Sequence, residues 1–287
     1  MNFYNKLALN FMKIFFILVL SFKVHGNTQA IQTDSMVSVG NHSLHVVTMG
    51  HGENTVIIEA GYMGELDDWR TFAKYISTFC KVVIYSRAGY GKSNPSPTPN
   101  TLNDSVEDLR MIIKMSELKG PFIMVGHSYG GLIVRKFAEI HPAHVKGLVF
   151  VEPASENYFK RLRELDPIRI EASRKRMFER LSGNKLEEYK LMMANYYDTP
   201  LNALEIASFP DVPVVILTAA KKRNSKSLAN TPEARQYWRE EHSKLFSKFS
   251  HGSHIVTQNS GHFIQVDEPE LIADAVKSVI VQAYAQQ

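Results

Sequence analysis

The chain has 287 residues, 44% of them hydrophobic and 22% charged, with a formal net charge of +4. That length buries a full core in one large domain or two small ones, and the balance is that of a globular protein, not of a low-complexity or disordered one. The charge is small and spread along the chain, so it gives no support to a nucleic-acid partner.

The N-terminus differs in kind from the rest. Lys6 and Lys13 precede a short apolar core, Ile14–Leu20, and small residues follow at Gly26 and Ala30. This layout predicts a secretory signal peptide over residues 1–30, cleaved after Gly26 or Ala30. The apolar core is too short for a comfortable transmembrane helix, and an uncleaved anchor is the alternative. The expected location is periplasmic or secreted. The single cysteine, Cys80, rules out an intrachain disulfide and reads as a buried apolar residue.

After the leader, Leu44–Val47 and Thr55–Glu59 read as strands, and Asp68–Thr78 as a helix. Cys80–Tyr85 reads as a strand. Leu102–Leu118 carries apolar residues near a 3.6 period and reads as a helix. Phe122–Val125 is an apolar strand, followed by Gly126-His127-Ser128-Tyr129-Gly130 and a helical stretch, Leu132–Glu139. Val145–Val151 is another strand. The pattern then breaks from Glu152 to Val212, a charged, Met- and aromatic-rich stretch of several short helices. Val214–Thr218 resumes the strands. Pro232–Phe246 is a helix capped by Thr231, Ser253–Val256 a short strand, and Asp267–Ala283 a final helix.

Such alternation predicts an α/β fold with a mostly parallel central sheet and helices on both faces. The core spans 31–152 and 211–287. The insertion, 153–210, lies beyond the carboxyl end of a strand, where open α/β sheets bind ligands, and is expected to form a helical cap.

The pentapeptide around Ser128 is a G-x-S-x-G with a strand before it and a helix after it. That is the setting of a nucleophile elbow, a strained turn that holds the serine hydroxyl clear of the sheet. A serine needs a base, and the base needs an orienting acid. His262, in the loop Asn259-Ser260-Gly261-His262-Phe263 before the last helix, is the candidate base. His251 and His254 are weaker candidates, since they sit before or within the strand. The usual acid position, after Val214–Thr218, reads Ala219-Ala220-Lys221-Lys222-Arg223-Asn224 and has no carboxylate. The acid is therefore sought one strand earlier, at Glu152, with Glu156 in reserve and Asp211 at the wrong end of its strand. Backbone N–H groups of Tyr129 and of Tyr62, in the loop Ala60-Gly61-Tyr62-Met63-Gly64, are the candidate oxyanion donors.

Together these segments resemble the α/β-hydrolase superfamily, and the resemblance covers residue 36 to the end. Val125–Gly131 is similar to the family's elbow, Glu59–Tyr62 to its oxyanion loop, Ser86–Ser93 to its segment after the fourth strand, and Ser260–Phe263 to its histidine loop. Ala60 stands where many members have histidine, and Ser86 where aspartate is usual. Some members carry the acid after the sixth strand, which is where Glu152 falls. The resemblance implies a serine hydrolase acting on a carboxylic ester. Amide, lactone or carbon–carbon bond hydrolysis by the same residues is the alternative, as is a ligand-binding protein with a vestigial site.

Gly89–Ser93 ends like a phosphate-binding loop, but Ser86 replaces its first glycine and Pro95, Pro97 and Pro99 follow where a helix is required. No nucleotide, metal or other cofactor is expected. The expected partner is a small-molecule substrate. Tyr158, Phe159, Met177, Phe178, Tyr189, Met192, Met193, Tyr196 and Tyr197 supply the insertion's apolar surface, and Lys221-Lys222-Arg223 lies beside the site.

Overall fold

The computed structural model describes residues 33–97, 100–155, 157–193, 208–221 and 227–285. The segment 1–30, Glu156, Tyr196, Tyr197, Lys222 and Arg223 lie outside the described residues, as do the side chains of Met192 and Met193.

Eight strands form one sheet: β1 (Thr33–Ser38), β2 (Ser43–Met49), β3 (Thr55–Glu59), β4 (Lys81–Tyr85), β5 (Phe122–His127), β6 (Val145–Val151), β7 (Val214–Ala219) and β8 (Gly252–Thr257). Their order is β1-β2-β4-β3-β5-β6-β7-β8. The pairs from β4 through β8 are parallel, and β1 and β2 are antiparallel at one edge.

Period two decides which face each strand residue supplies. Met124 and Leu148 pack with helices α2 (Leu102–Met115) and α3 (Tyr129–Ile140) through Leu109, Ile112, Ile133 and Phe137. Their neighbours Val125 and Val149 point the other way. They pack with α1 (Asp67–Ile76) and the C-terminal helix Pro269–Ala285 through Trp69, Phe72, Val276 and Val279. A sheet covered on both faces needs apolar residues in succession, which is why the central strands read as unbroken runs.

Among the described residues, three helices, α4 (Tyr158–Leu165), α5 (Pro167–Arg180) and α6 (Gly183–Met193), are inserted between β6 and β7. Then come α7 (Pro232–Phe246), a single turn α8 (Ile264–Asp267) and α9 (Pro269–Ala285). Thr231 caps α7 by accepting from the Ala234 N–H at 3.3 Å, as its sequence position predicts.

The structure departs from the sequence reading in three places. β1 is an extra strand: its Thr-Asp-Ser-rich sequence carries little apolar signal because most of it is exposed at the edge. The helix expected over 102–118 ends at Met115. Glu117 adopts a left-handed φ of 49°, and the Leu118 N–H reaches back to the Ile113 carbonyl at 3.0 Å, so the chain turns off the helix without a glycine. The helix expected over 267–283 is divided at Pro269, which opens α9 and has no N–H to continue α8.

Candidate active site

Ser128 joins β5 to α3 with φ 50° and ψ −118°, a strained conformation for a residue with a side chain. Its neighbours hold it there. The Ser128 N–H donates to the Val151 carbonyl at 3.1 Å, and the Ser128 carbonyl accepts from Gly131 and Ala154 N–H, each at 2.9 Å. The turn fits only because Gly130 has no Cβ: one would lie 2.4 Å from the Glu59 carbonyl oxygen. Gly61 is as constrained, since its Cβ would meet His127 Nδ1 at 2.8 Å and Ser128 Cβ at 3.3 Å. The loop bearing Tyr62 is thus pressed against the serine.

Glu152 follows β6, is 1% exposed, and has a left-handed φ of 49°. The Ala219 N–H donates to its Oε1 at 2.6 Å and His262 Nδ1–H donates to its Oε2 at 3.1 Å. Burial raises the carboxyl's pKa. The His262 hydrogen bond, the nearby His242 and His262 rings and the Ala219 N–H together outweigh it, and the net shift is downward. In the neutral imidazole, a carboxylate that holds Nδ1–H makes His262 Nε2 the accepting nitrogen, the one able to take a proton from a hydroxyl.

Ser128, Glu152, His262, Tyr129 and Tyr62 line one cavity of about 890 Å3. Ser128 makes no side-chain hydrogen bond among the described residues. Tyr129 opens α3, so its N–H is among those with no acceptor inside the helix. Tyr62 donates its hydroxyl to the Lys185 carbonyl of α6 at 2.8 Å. The other sequence candidates lie elsewhere: His251 is exposed and 3.7 Å from Asp211, while His254 is bonded to Thr218. Of the apolar side chains named in the insertion, Tyr158 and Phe159 line the cavity, and Met177, Phe178 and Tyr189 pack into the core.

Two histidines support the site from behind. His127 donates Nε2–H to the His262 carbonyl at 2.9 Å, and the two ring centroids lie 4.9 Å apart. His242 donates Nε2–H to the Pro153 carbonyl at 2.8 Å. Its Nδ1 must then accept from the Thr218 hydroxyl at 2.6 Å, which in turn accepts from His254 Nε2–H at 2.7 Å. This chain secures the residue after Glu152 to β7 and β8. Burial pushes His242 down to about 4 and His127, also near His262, down to about 3.

Both rings are neutral in the fold, against an ordinary value of 6.5. Above that pH neither the folded nor the unfolded chain protonates them. Below it, the unfolded chain takes up protons that the fold excludes. Stability should therefore be full above about pH 6.5 and fall as pH drops toward 4, by up to ~1.4 kcal/mol per pH unit for each ring. Urea denaturation at a series of pH values measures this; a flat stability between pH 7.5 and 4.5 contradicts it.

Arg87, 3% exposed, is the third support. Its Nη1 donates to Glu59 Oε1 at 2.8 Å and to the Ala60 carbonyl at 2.7 Å, and its Nη2 to the Gly61 carbonyl at 2.8 Å. Its Nε donates to Glu188 Oε1 of α6 at 3.0 Å. Tyr85 and Tyr90 donate hydroxyls to the other carboxylate oxygens of Glu59 and Glu188. One guanidinium thus fixes the loop before Tyr62 and ties it to the insertion. Arg87→Met should lower the unfolding free energy by about 3–5 kcal/mol, because two buried carboxylates lose their counter-charge. Urea unfolding tests this, and a loss below ~1 kcal/mol would mean the pair is not buried in solution.

The Arg87 and His242 networks escaped the sequence reading because their members come from distant segments. Only the neighbourhood of Arg87 in Ser86–Ser93 carried a signal. Among the described residues, no helix is long and apolar enough to cross a membrane, and no group of three His, Cys, Asp or Glu is placed to hold a metal.

A model of the alpha/beta hydrolase fold family matches residues 54–238. Protein YqjL of Bacillus subtilis strain 168 is 26% identical over 235 residues, 81% of this chain and 85% of that protein. An alpha/beta hydrolase fold protein from Chitinophaga pinensis superposes with a TM-score of 0.63 at 16% identity, covering 88% of this chain and 98% of the other. Carboxylesterase CesB from Bacillus subtilis superposes with a TM-score of 0.58 at 18% identity, covering 87% and 92%. With the family model matched over more than half of the chain, this chain belongs to the α/β hydrolase fold family.

Proposed function

We propose that this protein is a serine hydrolase that cleaves a carboxylic ester of a small to medium, partly apolar substrate. Ser128 attacks the carbonyl, His262 Nε2 takes its proton, and Glu152 stabilises the imidazolium that forms. The oxyanion is held by the Tyr129 and Tyr62 backbone N–H groups. His262 then protonates the leaving alcohol, and water, activated by the same ring, releases the acyl group from Ser128. The inserted helices act as a cap whose Tyr158 and Phe159 face the acyl or alcohol group.

The observation that carries this reading is the Glu152–His262 pair, 3.1 Å apart, in the same cavity as the strained Ser128. The family's hydrolase fold supports it. A fluorophosphonate probe followed by peptide mapping tests it: the expected adduct is on Ser128, with turnover of chromogenic esters in parallel. A protein that neither labels nor turns over any ester of a chain-length series refutes the proposal.

A further inference from the structure

The cavity beside Ser128 is not lined as a purely apolar acyl pocket would be. Arg235 and Trp238 stand three residues apart on α7, a spacing that puts both on one helix face, and both line it. The Trp238 indole Nε1–H has no hydrogen-bond partner among the described residues and is closed to solvent, so an acceptor in the cavity reaches it only with a shift of the cavity wall. Such a donor ordinarily finds an acceptor. Arg235 donates from Nη2 to the Ala219 carbonyl, the same residue whose N–H holds Glu152. That bond sets the guanidinium beside the Glu152–His262 pair and uses one of its five N–H donors.

The rest of the lining has the same charge sense. Arg169 and Arg176 of α5 contribute to it, with Arg169 3.9 Å from Asp166. Glu152 is the one carboxylate among the lining residues described, and both its oxygens are already engaged. Leu162, Ile170 and Leu228 supply apolar surface. A cavity with surplus guanidinium, an unsatisfied indole N–H and apolar walls suits an amphiphilic anion.

We infer that the cavity selects esters that carry a carboxylate, gripped by the Arg235 guanidinium and the Trp238 indole N–H. A planar carboxylate offers two oxygens to the guanidinium and keeps lone pairs for the indole. The inference rests on the ester-hydrolase reading above for its chemistry, but not for its anion site.

Two matched ester pairs test it. Mono(4-nitrophenyl) glutarate against 4-nitrophenyl valerate places the carboxylate on the acyl side, and 4-acetoxybenzoate against phenyl acetate places it on the alcohol side. In at least one pair the anionic ester should have the higher kcat/KM, by about tenfold or more. Arg235→Gln and Trp238→Phe should each shrink that ratio, and Arg235→Lys should restore part of it. A preference for the neutral ester in both pairs overturns the inference. So does an Arg235→Gln loss equal for both members of a pair, since that marks Arg235 as a positioning residue acting through Ala219. If no ester is hydrolysed and no probe labels Ser128, the ester reading fails, and calorimetry on the intact protein decides the anion site alone. There, 4-phenylbutyrate should bind about tenfold more tightly than 4-phenylbutanol, with the difference lost in Arg235→Gln; equal affinities overturn it.

Discussion

Ser128→Ala should reduce ester turnover by about five to six orders of magnitude and abolish fluorophosphonate labelling. The substitution separates chemistry from folding unusually well here. Alanine keeps the Cβ, so the left-handed strain at φ 50° is the same in both proteins. The bonds that hold the turn run from the backbone, through the Val151, Gly131 and Ala154 contacts, and survive. The hydroxyl makes no side-chain hydrogen bond among the described residues, so its loss should change stability by less than ~1 kcal/mol. What disappears is the atom proposed to bond to the acyl group. Steady-state rates on a chromogenic ester, with a urea midpoint measured beside them, check both halves. Activity within tenfold of the parent at unchanged stability means that another group performs the attack.

How far the sequence exposes this site depends on whether each residue's cue is local. Ser128 is legible because its neighbours must be small: a side chain at Gly130 would run into Glu59, and one at Gly61 into His127 and Ser128. His262 is legible from its loop before the last helices. The central strands are legible because both faces are buried, whereas β1 is exposed and polar and carries no such run. Glu117 ends α2 in a left-handed turn that glycine ordinarily marks, so that boundary has no cue. The supports of the site are hidden for a further reason. Arg87 meets Glu59 across 28 residues and Glu188 across 101, and His242 meets Pro153 across 89. Each is an ordinary polar residue in its own segment. Arg235 and Trp238 are likewise unremarked on α7 until Ala219 and the cavity are placed against them.

Glu152 is a case in which absence was informative, because no carboxylate occupies 219–224, and it yields the second large effect. Glu152→Gln should lower kcat by about ten-thousand-fold while Ser128 and His262 stay in place. The side chain sits between two donors, the Ala219 N–H at 2.6 Å and the His262 Nδ1–H at 3.1 Å. A carboxylate accepts from both; an amide has one accepting end. If the glutamine oxygen faces Ala219, its NH2 faces Nδ1, which must then accept. The proton moves to Nε2, and His262 can no longer take one from Ser128. If the amide turns over, its NH2 opposes the Ala219 N–H, and a buried donor pair is left unsatisfied at the end of β7. The first orientation costs rate and the second costs stability, so kcat and a urea midpoint together identify which is adopted. Near-parent kcat at parent stability would remove Glu152 from the role of orienting acid and require that acid to come from another segment.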